Sequence, residues 1–121
     1  MSDHAAIEAV IQVYFDSMFD SDGAKVRQAF HPNAKITGYN HQGLQEMDVE
    51  TFASFVEAQQ PSAKDKGDAP RLDVISIDIA GETAVARVRD DYLGLTFLDT
   101  LSFLKTNDRW TIYNKLFHVE T

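Results

Sequence analysis

Leu95-Thr96-Phe97-Leu98-Asp99-Thr100-Leu101-Ser102-Phe103-Leu104-Lys105, then Thr106-Asn107-Asp108, then Arg109-Trp110-Thr111-Ile112-Tyr113-Asn114-Lys115-Leu116-Phe117-His118-Val119 is the stretch that decides the fold. Two runs rich in aromatic and β-branched residues flank three turn formers, which predicts a long β-hairpin. Upstream, Leu72 to Ala80 alternates with Ile75, Ile77 and Ile79 on one face, and Gly81-Glu82 turns the chain. Thr83 to Tyr92 alternates again, with Ala84, Ala86 and Val88 opposite Arg87 and Arg89. Alternation of this kind marks strands with one buried face.

The first half carries the helical period instead. Ile7, Val10, Ile11, Tyr14, Phe15, Met18 and Phe19 form one apolar stripe on a helix from about residue 3 to residue 20, with Ser2 or Asp3 as its cap. Asp22-Gly23 makes a turn and caps a short helix with Val26, Ala29 and Phe30 on one face, ended by Pro32. Ala34 to Tyr39 reads as a short strand, Asn40 to Gly43 as a turn, and Asp48 as the cap of a third helix with Phe52, Phe55 and Val56 inward. Residues 61–70 form a polar loop. Helices first and antiparallel strands after predict an α+β fold, one domain over residues 1–121, with helices on the concave face of a curved sheet.

The composition excludes several functions. The chain has 121 residues, no cysteine and a net charge of −8. A disulfide scaffold, a thiolate metal site and a cysteine nucleophile are excluded, and the composition fits a reducing cytoplasm. Lys and Arg form no cluster, which argues against nucleic acid and anionic membrane partners. No apolar run reaches the roughly 18 residues of a membrane span. His4, His31, His41 and His118 show no metal-ligand spacing, and no phosphate or dinucleotide loop occurs, so neither metal nor cofactor is expected. His31, before Pro32, reads as a structural residue bonding the last carbonyls of the second helix.

The order helix-helix-strand-helix and then four long strands resembles the nuclear transport factor 2-like superfamily, whose fold is a cystatin-like α+β cone. Gly23-Ala24-Lys25-Val26-Arg27-Gln28-Ala29-Phe30-His31-Pro32-Asn33-Ala34 looks like that superfamily's second helix and the turn into its first strand. The stretches 99–105 and 108–118 are most similar to the branch labelled putative lumazine-binding, or SnoaL-like, proteins. The resemblance implies a pocket between helices and sheet. It places Thr111, Tyr113, Lys115 and Phe117 inward, and Trp110, Ile112, Asn114, Leu116 and His118 on a convex face used for a homodimer. The alternative is the inverted parity, with Trp110 in the core. If Asp99 points inward, so do Phe97, Leu101 and Phe103.

The first 38 residues also resemble ketosteroid isomerase. Tyr14 falls where that enzyme keeps its oxyanion-hole tyrosine, and Asp99 where it keeps the partnering acid. The position of its general base is Gly38 here. The resemblance implies Tyr14 and Asp99 as a polar pair, the candidates for catalysis. It gives no base, and Asp90, His31 and Lys115 are the possible substitutes. Structurally, Lys115 or Tyr113 could instead satisfy a buried Asp99. The candidate ligand-binding residues are Tyr14, Met18, Tyr39, Phe52, Phe55, Asp90, Phe97, Asp99, Leu101, Tyr113, Lys115 and Phe117. The missing base favours a small-molecule-binding protein. The alternative is a lyase or isomerase, like ketosteroid isomerase or a polyketide cyclase, acting on a small apolar carbonyl or ring compound. A protein-protein adaptor is the third class.

Overall fold

A computed structural model describes residues 2–120. Helix α1 (Asp3–Phe19) starts where Ser2 accepts a hydrogen bond from the Ala5 amide at 3.1 Å, and it buries Ile7, Ile11, Tyr14, Phe15 and Met18. Helix α2 (Gly23–Ala29) is capped by Asp22, which accepts from the Ala24 amide at 3.0 Å. Strand β1 (Phe30–Asn40) follows at once: Phe30 is both the C-cap of α2, its amide donating to the Val26 carbonyl, and the first residue of the strand, which Pro32 continues. The strand is longer than expected because the pre-proline bias toward extended backbone acts on His31 itself. His31 accepts a hydrogen bond from the Asn33 amide at 3.0 Å through Nδ1, rather than donating to the helix carbonyls.

Strand β2 (Gly43–Asp48) pairs antiparallel with β1. Helix α3 (Val49–Glu57) begins at Asp48, which accepts from Thr51 at 2.8 Å. A single turn, α4 (Ala63–Lys66), lies inside the expected polar loop. Then come β3 (Leu72–Ala80), β4 (Thr83–Tyr92), β5 (Leu95–Thr106) and β6 (Arg109–Val119). The six strands form one curved sheet in the order β2-β1-β6-β5-β4-β3, which stays open between its two edges. Among the described residues, β1 and β6 are the one parallel pair. Asn107 and Asp108 both take left-handed backbone, at φ 51° and 60°, and Thr106 pairs with Arg109, so the hairpin turn has two residues and not the three turn formers expected.

Two β-bulges change which side chains meet the helices. In β3, Ile75 is inserted between the pairs Val74–Val88 and Ser76–Arg87, so it leaves the face of Ile77 and Ile79 and is half exposed. In β6, Tyr113 is inserted between the pairs Ser102–Asn114 and Phe103–Ile112. Each of the two parities expected for β6 therefore holds for part of the strand. Beyond the bulge Lys115 and Phe117 face the helices, whereas Asn114, Leu116 and His118 face out. Before it, Trp110 and Ile112 are core residues and not part of a convex face. The Trp110 indole donates to Asp3 at 3.0 Å, and Lys105 meets the same carboxylate at 3.0 Å, which ties the start of α1 to the last hairpin.

Candidate functional site

Strand register arranges the concave face in rungs. Asp90, Phe97 and Val119 share one; Val88, Asp99, Phe117, Gly38 and Gln45 share the next; Ala86, Leu101, Lys115, Ile36 and Met47 the third. A cavity of about 320 Å³ opens over the β2, β1 and β6 side of these rungs. Its walls are Ile36, Met47, Phe97, Phe117 and Val119 from the sheet and Phe52 and Phe55 from α3. Asn40, Gln45, Tyr92, Leu93 and Leu95 complete it, and among the described residues Lys115 is its one cation. Phe97 and Phe117 meet edge to face at 6.1 Å. Leu93 holds φ +53°, unusual for a bulky residue, in the tight turn between β4 and β5.

Gly38 is required by this wall. A Cβ there would lie 2.5 Å from ring atoms of Phe117 and would also collide with the Phe117 carbonyl. No carboxylate can stand at this position while β6 lies where it does.

Beside the cavity, under α1, lies a polar cluster. Tyr14 donates to Asp99 Oδ2 at 2.6 Å, with both residues fully buried. It is Tyr14, and neither Lys115 nor Tyr113, that hydrogen-bonds Asp99, and only at Oδ2. Burial, followed by the nearby Asp99 and Asp90, pushes the Tyr14 hydroxyl well above its ordinary range. Asp90 is 1% exposed, and neither of its oxygens has a partner among the described residues. Asp99 Oδ1 and the Tyr92 hydroxyl are likewise unpartnered. Burial first, and the adjacent Asp99 second, raise the Asp90 carboxyl to about 8, against the opposing pull of Lys115. Asp90 is thus largely neutral at pH 7.

Lys115 is 5% exposed and sits in a cage of rings. Its Nζ is 4.8 Å from the centre of Tyr14, 4.9 Å from Phe52 and 5.8 Å from Phe117. It has no salt-bridge partner among the described residues.

The expected ligand-binding residues therefore separate into three groups. Phe52, Phe55, Phe97, Lys115 and Phe117 line the cavity. Tyr14, Met18, Asp90, Asp99 and Leu101 are buried outside its lining, with Tyr14, Asp90 and Asp99 gathered in the polar cluster. Tyr39 and Tyr113 are elsewhere. Tyr39 pairs with His118 on the outer face and is 67% exposed, and Tyr113 is the bulge residue, packed on His31 at 5.0 Å. Thr111, expected inward, pairs with Leu104 off the cavity face, though it is buried. Tyr92 was the residue most within reach of sequence reasoning, since it continues the inward alternation of Ala84, Ala86, Val88 and Asp90. Gln45 and Met47 lie on β2, a strand whose sequence gives no apolar alternation strong enough to announce it.

The chain is similar to proteins of the same size. Aldolase FrzH from Cladobotryum sp is 23% identical over 117 residues, which span 97% of this chain and 91% of that protein. Two crystal structures of nuclear transport factor 2-like proteins of unknown function share the fold. The one from Silicibacter pomeroyi superposes with a TM-score of 0.88 at 22% identity, covering 99% of this chain and 100% of its own. The one from Methylobacillus flagellatus gives 0.86 at 28% identity, covering 98% and 93%. The model of the family described as "Putative lumazine-binding" matches residues 2–118, nearly the whole chain. The chain belongs to that family, within the nuclear transport factor 2-like fold.

Proposed function

We propose that this protein binds a small, largely apolar ring compound in the aromatic cavity and receives an oxygen of that compound at Lys115. The observation that carries this reading is the lysine itself. An ammonium has three donors, and a buried one without an acceptor is costly. The ring cage stabilises its charge but accepts no conventional hydrogen bond. A carbonyl or carboxylate oxygen entering the cavity supplies the acceptor, and the surrounding phenyl rings supply the apolar contact. A matched pair of probes tests it, 2-tetralone and its hydrocarbon tetralin, titrated by ligand-observed NMR. The ketone is expected to bind at least ~10-fold more tightly, a difference of about 1.4 kcal/mol. Lys115→Met should erase the preference while leaving tetralin binding in place. Equal affinity of the two probes for the parent protein would sink the reading.

A second reading, a lyase or isomerase acting on a small carbonyl compound, has two supports. One is the relative that bears the name of an aldolase. The other is Asp90, a buried carboxyl without a partner next to residues that line the cavity.

We also propose a homodimer through the outer face of the sheet. Tyr39 is 67% exposed, Leu116 55% and Val85 38%, all on the side away from the helices. Isologous pairing of such a face is the commonest way to cover it. Leu116→Glu is expected to shift the light-scattering mass from two chains to one without lowering helix content. A parent protein that is already monomeric at high micromolar concentration would dismiss the dimer.

A further inference from the structure

We propose that Asp90 is the acid-base residue of this cavity and exchanges a proton with the carbon next to a carbonyl in the bound ring compound. The inference rests on the binding reading above and deepens it. Its ground is geometric. Asp90 and Asp99 are diagonal neighbours on β4 and β5, within hydrogen-bonding reach of each other. A proton on Asp90 gives the free Asp99 Oδ1 a donor and leaves Asp99 with two, Tyr14 and Asp90. The other Asp90 oxygen stays without a partner, which is a conspicuous cost for a group 1% exposed. Phe97 is both the cross-strand partner of Asp90 and a wall of the cavity, and Tyr92, the next inward residue on β4, is another. Asp90 itself lies behind this wall, so the carboxyl meets the ligand when the Phe97 ring turns aside. The wall itself bars a base from position 38, because Phe117 fills the space a side chain there would need. The carboxyl stands across the sheet instead.

The step is balanced within the site. Ionised Asp90 takes a proton from the carbon beside the carbonyl. The C–H pair becomes the C=C bond of an enolate, and the carbonyl π pair moves onto oxygen. The Lys115 ammonium meets the charge that develops there. Return of the proton from Asp90 to carbon closes the cycle, so no co-reactant is needed. An Asp90 carboxyl near 8 suits this work, since a base is most effective when its pKa lies near the operating pH. Burial sets this value first, then Asp99 from β5, with Lys115 from β6 opposing and Asp91 on β4 adding to it; Tyr14 from α1 and Tyr92 on β4 belong to the same cluster.

The test is hydrogen-deuterium exchange of 2-tetralone in D2O, followed by proton NMR. The parent protein is expected to accelerate loss of the α-proton signal about 100-fold over buffer, with a rate whose rise is half complete near pH 8 and levels off above it. Asp90→Asn should return the rate to that of buffer while 2-tetralone still binds. Phe97→Ala, which opens the path to Asp90, should raise the rate. Exchange that persists in Asp90→Asn overturns the assignment. Binding of 2-tetralone to the parent without acceleration overturns it too, and leaves the binding reading standing. Failure of 2-tetralone to bind at all removes both.

Discussion

Asp90→Asn is expected to melt about 12–20 °C above the parent protein at pH 8, and the two are expected to converge near pH 4. The reason is linkage. Asp90 keeps its proton in the folded protein up to about pH 8, whereas its ordinary value is 3.8. Between these values unfolding releases a proton, so stability falls as pH rises. The full contribution is present below about pH 4 and is lost once pH has passed about 8. At about 1.4 kcal/mol per unit, a window of about four units amounts to roughly 3–5 kcal/mol after allowance for coupling with Asp99. Asparagine cannot ionise, and its amide still donates to the free Asp99 oxygen, so the variant escapes this loss. For a chain of this length, 1 kcal/mol corresponds to about 4 °C. Histidines and exposed carboxylates titrate alike in both proteins, so the difference between them isolates Asp90. A gap that stays constant from pH 4 to pH 8.5 would show that Asp90 ionises in the fold as an ordinary carboxylate.

The fold was legible in the sequence where local signals and tertiary packing agree. The stripe on α1 and the alternation in β4 and β5 each report a face that the chain then buries. Caps at Ser2, Asp22 and Asp48 are local chemistry and work as read. The bulges at Ile75 and Tyr113 are not local in this sense. A one-residue insertion in a ladder is decided by how the neighbouring strand is registered, and a strict two-residue period cannot reveal it. That is why neither single parity holds throughout β6: Trp110 and Ile112 lie within, as the inverted parity has it, while Lys115 and Phe117, beyond the bulge, face inward as the resemblance implies. β2 escaped notice because it lies at an edge of the sheet and alternates only between half-buried and exposed residues.

Of the residues singled out from the sequence, Phe52, Phe55, Phe97, Lys115 and Phe117 line the cavity, and the arrangement of the rest, the Tyr14–Asp99 pair apart, was not legible. Tyr14 and Asp99 meet as expected, at 2.6 Å. Inward parity alone could not say that they lie outside the lining of the cavity, because depth along the face depends on which helix covers which strands. α1 covers the Asp90 and Asp99 side, and α3 the side of Lys115 and Phe117. Nor could sequence show that Asp90 and Lys115, two of the groups considered as substitutes for a base, would lie on opposite flanks of Asp99.

Restoring a carboxylate at position 38 is expected to break the protein rather than to add a base. Gly38 pairs with Phe117 across the parallel β1–β6 ladder and does not lie among the glycines with positive φ, so conformational freedom is not its reason. Its reason is contact. A Cβ there would lie 2.5 Å from two ring carbons of Phe117 and would run into the Phe117 carbonyl. The ring can rotate away, but the carbonyl moves only if the central strands part. Overpacking in a well-packed core costs about 1–3 kcal/mol, and a clash with backbone belongs at or beyond the upper end. Gly38→Ala is therefore expected to lower stability by about 3 kcal/mol in urea unfolding. Gly38→Asp should lower it further, because it also brings a charge against an apolar wall. Adding Phe117→Ala to Gly38→Ala should recover only part of the loss, since it removes the ring contact and leaves the carbonyl. A Gly38→Ala variant within 0.5 kcal/mol of the parent would show, at about the size of an ordinary surface substitution, that β1 and β6 part easily. The absence of a base at this position would then be a matter of history and not of packing.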